Sequence, residues 1–228
     1  MLFDHPLGLV TLTIALYLAG EWLYERSGRN PFLQPVLLPI LMLVVLLKAT
    51  GFPYERYFEH TTPLHFLLGP AIVALAVPLY ENLRQAKSAL VPVFLSVLVG
   101  GLVVTGSALA LGLLFHLDRL MEIALTTKSV TVPIALAVAE KIGGIAPLTI
   151  VGVFTTGLTG ITVTPLLLKL MRIDDHRVSG FTLGLTSHAF GVARSLEYGF
   201  EAVAFATLGM TLMGCASAIL VPILFRLL

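Results

Sequence analysis

The sequence predicts an all-α polytopic membrane protein with about six to eight membrane segments, two of them interrupted or re-entrant. Three observations predict it. Hydrophobic residues make up 57% of the 228 positions and charged residues only 12%, where a soluble domain carries about 25% charge. Apolar runs of the length a spanning helix needs recur along the whole chain. Two further apolar runs contain proline or glycine together with lysine, histidine or arginine. A soluble protein with an oversized core is the alternative, and the number and length of the runs speak against it.

The opening "MLFDHPLGLVTLTIALYLAG" has an acidic residue and no basic cluster before its apolar run. A cleaved signal normally begins with positive charge, so this reads as a retained first span. The candidate spans are then Pro6–Tyr24, Phe32–Lys48, Pro63–Leu83, Ala89–Phe115, Pro147–Met171 and Ala202–Leu227. The interrupted segments are Leu120–Ile142 and Ser179–Glu197. The loops "YERSGRN", "GFPYERYFEH", "ENLRQAK" and "MRIDDHR" are too short to form a second domain. Residues 1–228 are therefore expected to be a single integral membrane domain.

The charge pattern narrows the function. A net charge of +1 offers no basic face for nucleic acid. Cys215 is the only cysteine, which excludes an internal disulfide. If both interrupted segments dip in and return, Arg26, Arg29, Arg84, Lys87, Lys169, Arg172 and Arg177 share one side. The positive-inside rule makes that side cytoplasmic. If both cross fully, the bias nearly disappears. An inverted repeat is also expected, with halves of about 1–117 and 118–228. It rests on the likeness of "ALAVPLYENL" at Ala74–Leu83 to "ALAVAEKIGG" at Ala135–Gly144. Chance recurrence of Ala, Leu and Val is the alternative.

In "TTKSVTVPIALAVAEKIGG", Pro133 disfavours helix at Val132 and favours a helix beginning at itself. Lys128–Val132 is expected to be extended and Pro133–Lys141 a short helix. The free amides of its first turn face "KSVT", and the helix dipole is positive there. Lys128 adds a full charge, and Ser129 and Thr131 add hydroxyls. Such a helix start suits a carboxylate or another small anion. The alternative is a proline kink in a continuous helix, with Lys128 snorkelling to the headgroups.

In "LTSHAFGVARSLEYG", a continuous helix would set Ser187, Gly191 and Arg194 on one stripe and His188, Gly191 and Ser195 on the next. An intramembrane arginine costs about 2.5–3.5 kcal/mol on insertion scales unless paired or wet. Arg194 offers a fork to a carboxylate, and His188 offers a hydrogen bond or a titrating group. Pairing of Arg194 with Glu197 or Glu201, and a packing role for His188, are the structural alternatives. "VFTTGLTGITVTP" brings Thr156, Gly157, Thr159 and Gly160 into a long span. These suit close helix contact or a polar path.

Other chemistry finds no footing. The histidines lack metal spacing, and neither GxSxG nor a P-loop occurs. Ser187 and His188 are sequence neighbours, which diverge on a helix. No catalytic function, metal or cofactor is expected.

At "TTKSVTVPIA", "TTGLTG" and "TSHAFGVARSLEYG", with "LLGPAIVALAVPLY" upstream, the sequence resembles the CidB/LrgB family from about Leu16 to the end. The family is described in two ways. One is antiholin-like: modulation of murein hydrolase export and autolysis beside a small LrgA/CidA-like holin-like partner. The other is transport, as in the plastid glycolate/glycerate transporter and pyruvate-linked bacterial systems. The resemblance implies a bacterial plasma membrane and a small carboxylate anion. Lys128, Ser129, Thr131, Pro133, Gly157, Thr159, Gly160, Ser187, His188, Gly191 and Arg194 stand at its motif positions. Relatives often carry Gly and Thr where this chain has Ala189 and Val192. A homodimer in the lipid bilayer is expected by analogy with transporters of this build.

Overall fold

The computed structural model describes residues 6–227 apart from 29, 31, 32, 34, 36, 75 and 82. The described residues form helices and connecting turns, with no strand among them. The chain packs as two compact units, Met1–Ala74 and Leu75–Leu228.

The first unit contains α1 (Pro6–Arg26), α2 (Leu37–Thr50), α3 (Tyr54–His60) and α4 (Thr62–Ala74). The helix α1 fills the first expected span. The helix α2 is apolar but shorter than the expected Phe32–Lys48, part of which lies outside the described residues. It stops at Gly51, whose φ of 66° lets Phe52 N–H reach back to the Leu47 carbonyl at 3.1 Å. The two helices approach where Gly20 leaves room for the Pro39 ring; a Cβ on Gly20 would stand 2.7 Å from its Cγ. Leu9, Leu47 and Tyr57 form the core of this unit, and the Tyr57 hydroxyl bonds Thr13 Oγ1 at 2.9 Å. The expected span Pro63–Leu83 falls on α4 and on α5 (Ala76–Glu81) of the second unit, with residue 75 outside the description.

The second unit continues with α6 (Leu83–Ser88), α7 (Leu90–Leu114), α8 (Arg119–Thr127), α9 (Val132–Lys141), α10 (Ala146–Leu170), α11 (His176–Ser195), a 3-10 turn at Leu196–Tyr198 and α12 (Phe200–Leu227). In the whole described chain, four helices are long and apolar enough to cross a membrane: Leu7–Arg26, Leu90–Leu114, Ala146–Leu170 and Phe200–Arg226. At ~1.5 Å per residue each of these reaches about 30 Å or more, the thickness of a hydrocarbon core.

Direction can be read from what meets at the helix ends. Ser88 and Val93 beside the start of α7, Arg177 and Phe181 near the start of α11, and Phe205 near the start of α12 line one cavity of about 510 Å³. At the other end, Arg119, just beyond α7, lies 4.5 Å over the Phe225 ring near the end of α12. The helices α7 and α12 therefore run the same way. The helix α10 runs against them, because its C-terminal loop leads back to Asp175 and Arg177.

Both interrupted segments turn back. Arg119 opens α8 and Lys141 closes α9, yet both line one small cavity with Phe225 and Arg226. The reversal occupies residues 128–131. The break falls where expected, but Lys128–Val132 is not extended throughout. Lys128 is still helical, with φ of −65° and ψ of −23°, residues 128–130 turn, and Thr131 alone is extended, with ψ of 150°. The helix starts at Val132 rather than Pro133, because a helix end closes on its C-cap before the chain turns. The helix α11 bends at His188, whose φ of 44° and ψ of −129° are non-helical. Beyond the bend the chain folds against its own first half. A Cβ on Gly191 would stand 1.9 Å from the Leu183 carbonyl oxygen. The rings of His176 and Tyr198, at the two ends of the segment, are 6.1 Å apart. This corrects the expected stripes. Ser187, Gly191 and Arg194 share no continuous helix, and neither do His188, Gly191 and Ser195.

Small residues hold the second hairpin against α12. A Cβ on Gly180 or Gly184 would stand 2.1 or 1.9 Å from the carbonyl oxygens of Ala202 and Ala206. Gly209 returns the contact on Phe181 O, at 2.7 Å. Backbones this close need glycine on one side and a small side chain on the other. Around the first hairpin the core is larger. Leu109, Ile123, Val138, Ala139, Val221 and Phe225 join α7, α8, α9 and α12.

Candidate functional site

The helix α10 organises the predicted site. At the first reversal, Lys128 is the C-cap of α8, and its ammonium donates to the Leu125 carbonyl at 3.0 Å. That bond satisfies one of the carbonyls a helix end leaves open. Lys128 is half-buried and does not extend away from the protein. Its Cβ lies 3.7 Å from where a Cβ on Gly152 of α10 would stand. Ser129 is buried, Thr131 is half-buried and Pro133 is exposed on the first turn of α9. Val130, at the tip, packs with Val153 of α10 and Met213 of α12.

At the second reversal, His188 is buried and its Nε2–H donates to the Val153 carbonyl at 3.1 Å. Val153 follows Gly152, so the two reversals reach consecutive residues of one helix. Gly157 and Gly160 make room for the second tip. A Cβ on Gly157 would meet Phe190 Cδ2 at 2.2 Å and His188 Cε1 at 3.0 Å; one on Gly160 would meet Ser187 Oγ at 2.0 Å. Ser187 is buried, its hydroxyl 3.2 Å from that of Thr186, which in turn lies 3.4 Å from Thr164 Oγ1.

The remaining predicted residues lie apart from this contact. Thr156 is half-buried and Thr159 is exposed on α10. Gly191 faces Leu183 rather than α10. Arg194 stands six residues past the bend and pairs with Glu197, one of the partners its sequence context suggested. The Arg194 side chain is 8% exposed, while Glu197 stands at the surface. None of the predicted residues lines the 510 Å³ cavity.

Sequence reasoning missed the residues that press the second hairpin into place: Gly180, Gly184, Ala202, Ala206 and Gly209. Their signal was present as small residues four apart, Gly180/Gly184 and Ala202/Ala206. It also missed Gly152 and Val153, which carry no polar side chain to attract notice. At the start of the second hairpin, Asp175 caps α11 by accepting from Arg177 N–H at 2.8 Å, and binds the same guanidinium at 2.7 and 3.1 Å. These bonds hold its carboxyl at about 2. Among the described residues no cluster of three His, Cys, Asp or Glu could hold a metal ion.

The Lys128 ammonium and the His188 imidazole N–H each donate to a backbone carbonyl, and the Lys128 Cβ and the His188 ring lie against consecutive residues of α10.

The LrgB-like family model matches residues 13–227. The chain is 36% identical to the Bacillus subtilis protein YxaC over 215 residues, 94% of this chain and 93% of that one. It is 32% identical to a holin-like protein CidB of Staphylococcus epidermidis over 221 residues, 96% and 95% of the two chains. With the holin-like protein CidB of Staphylococcus aureus, identity is 31% over 225 residues, 99% and 98%. No solved structure matches.

Proposed function

The chain belongs to the LrgB-like family of multi-pass bacterial membrane proteins, and from that premise we propose that it carries small monocarboxylates such as glycolate, glycerate or pyruvate. One observation carries this reading: two helical hairpins based at opposite ends of the second unit bring their tips to Gly152 and Val153 of α10. Transporters built from inverted repeats hold their substrates at such interrupted helices near mid-bilayer. Arg119–Leu170 and His176–Leu227 are equal in length, and each is a hairpin followed by a long helix. With α10 and α12 opposed, these stretches, rather than the halves 1–117 and 118–228, are the two repeats in this reading, and their hairpins re-enter from opposite faces.

The carboxylate binds between the tips. It takes the Lys128 ammonium from the Leu125 carbonyl, with Ser129, Thr131 and Ser187 as neighbouring hydroxyls and His188 as a second donor. Gly157 and Gly160 set how closely the second tip approaches. Arg194, tied to Glu197, fixes the outgoing arm of that hairpin. No covalent step is needed, so no enzymatic activity is proposed.

The test is uptake of labelled glycolate, glycerate and pyruvate into proteoliposomes. Saturable, counterflow-competent flux is expected, reduced about tenfold or more by Lys128→Ala, the scale of one charge-assisted hydrogen bond. Absence of saturable flux, or wild-type rates in both Lys128→Ala and His188→Ala, would end the carrier reading.

The CidB relatives favour a second reading at least as strongly, because their name is holin-like. In it the chain modulates murein hydrolase export and autolysis beside a small LrgA/CidA-like membrane protein, and its dimer and partner contacts are its function. The internal bonds of Lys128, His188 and Arg194 are then purely structural. Altered autolysis on deletion, a small membrane protein retained on purification and silent liposomes would together select it.

A further inference from the structure

We propose that the cavity between the base of the α8–α9 hairpin and the end of α12 binds a phosphate group, supplied by the headgroup of an anionic phospholipid. The cavity measures about 130 Å³ and is lined by Arg119, Lys141, Ile142, Pro222, Phe225 and Arg226. Three basic residues line a space the size of one headgroup phosphate, and among the described residues no carboxylate lines it. The nearest acidic residues in sequence are otherwise disposed. Asp118 accepts from Met121 N–H at 2.8 Å, and Glu122 packs with its Cγ 2.9 Å from where a Cβ on Gly112 would stand. Glu140 is exposed beside Lys141.

The site is partly built in advance. The Arg119 guanidinium lies over the Phe225 ring and one of its nitrogens donates to the Phe225 carbonyl at 3.4 Å. This fixes the plane of the fork and leaves its other N–H groups for an anion. Phe225 and Pro222 are buried and give the cavity an apolar floor. The ends of α9 and α12 bring negative dipole ends toward Lys141 and Arg226, which offset part of the charge. They do not offset three full charges.

The position selects the source. Arg119 follows the end of α7 and Arg226 stands at the end of α12, two helices long enough to span. The cavity is therefore at a membrane boundary, at the depth of the phospholipid headgroups. Because Arg119 and Lys141 are the two ends of one hairpin, an occupant ties the hairpin base to α12. The inference is independent of the carried substrate and of the holin-like reading.

The experiment uses the purified full chain in detergent, stripped of lipid, and follows its thermal midpoint. Three probes are added: phosphatidylglycerol, phosphatidylcholine and inorganic phosphate. Phosphatidylglycerol is expected to raise the midpoint saturably and phosphatidylcholine is not. Lys141→Gln and Arg226→Gln should each weaken the phosphatidylglycerol response about tenfold, while Arg84→Gln, on α6, leaves it unchanged. Arg119→Gln removes a packed side chain, so the other two variants carry the test. If inorganic phosphate alone gives the full shift, the phosphate site stands and its source is a solute. Equal shifts with phosphatidylcholine, or an undiminished shift in the Lys141→Gln/Arg226→Gln double variant, would overturn the proposal.

Discussion

The reversal between α8 and α9 and the reversal inside α11 turn the chain by different means. The first spends four residues, 128–131, none with positive φ, and restarts its helix with a proline on the first turn. Its open carbonyls are served locally, by the Lys128 ammonium. The second turns at a single residue, His188, with φ of 44°. A histidine in that region is strained by about 1–3 kcal/mol and persists only where the surroundings over-determine it. The surroundings here are the Val153 carbonyl on α10 and the small-residue seam on α12. The first turn is thus written in local sequence, and the second is imposed by neighbours.

The strongest way to break that contrast is to open the seam. Gly184→Leu drives a side chain into the backbone of Ala206, which cannot give way as a side chain would. A cost above about 3 kcal/mol is expected, read as loss of monodisperse protein on gel filtration. Gly106→Leu on α7, where nothing lies within 4 Å of a new Cβ, should run as wild type. A well-folded Gly184→Leu would remove the seam from the account.

The next test separates strain from bonding at the second turn. His188→Ala loses the bond to Val153 and keeps the backbone strain. His188→Gly loses the same bond and relieves the strain. The glycine variant is expected to be the more stable by about 1 kcal/mol, measured by thermal unfolding in detergent. Equal midpoints would mean that the bend carries no strain.

At the first turn no residue has positive φ, so substitutions act through lost bonds and not through strain. Lys128→Met costs about 0.5–1.5 kcal/mol through one lost carbonyl partner. Pro133→Ala costs less than about 1 kcal/mol, since extended Thr131 already ends the preceding geometry. A Lys128→Gly variant more stable than Lys128→Ala would reveal strain here too and erase the distinction between the turns.

The smallest effect concerns how the hairpins begin. Asp118 and Asp175 cap them alike, each accepting at 2.8 Å, but only Asp175 also binds an arginine. Its carboxyl falls from 3.8 to about 2 on folding. A depressed folded pKa adds stability that is full above about pH 4 and lost as pH falls to about 2. Because the pair is exposed, the effect is modest. Asp175→Asn should flatten that part of the acid unfolding curve, and an unchanged curve would show that the pair is inert.

Both interruptions were legible in the sequence, and for the same reason. Lysine, histidine and proline inside apolar runs are too costly to be ordinary span residues. What each break becomes was not legible. At Pro133 the local rule came within one residue of the helix start. At His188 a helical period through "SHAFGVARS" gave stripes that the bend abolishes, because periodicity describes a helix and says nothing about where it stops. The pairing of Arg194 with Glu197 stood open among alternatives, and only proximity could select it.

The sequence by itself determined that this chain lives in lipid, where four of its long helices run and where its apolar segments are interrupted. Those follow from transfer energies and backbone rules that act over a few residues. Tertiary structure decided that each broken segment doubles back on itself, and that both tips meet one turn of α10. The physical reason is that a glycine's value depends on what approaches it. Gly180 and Gly184 specify nothing until Ala202 and Ala206 close on them, and Gly152 and Gly157 gain a role only from tips that arrive from elsewhere in the chain.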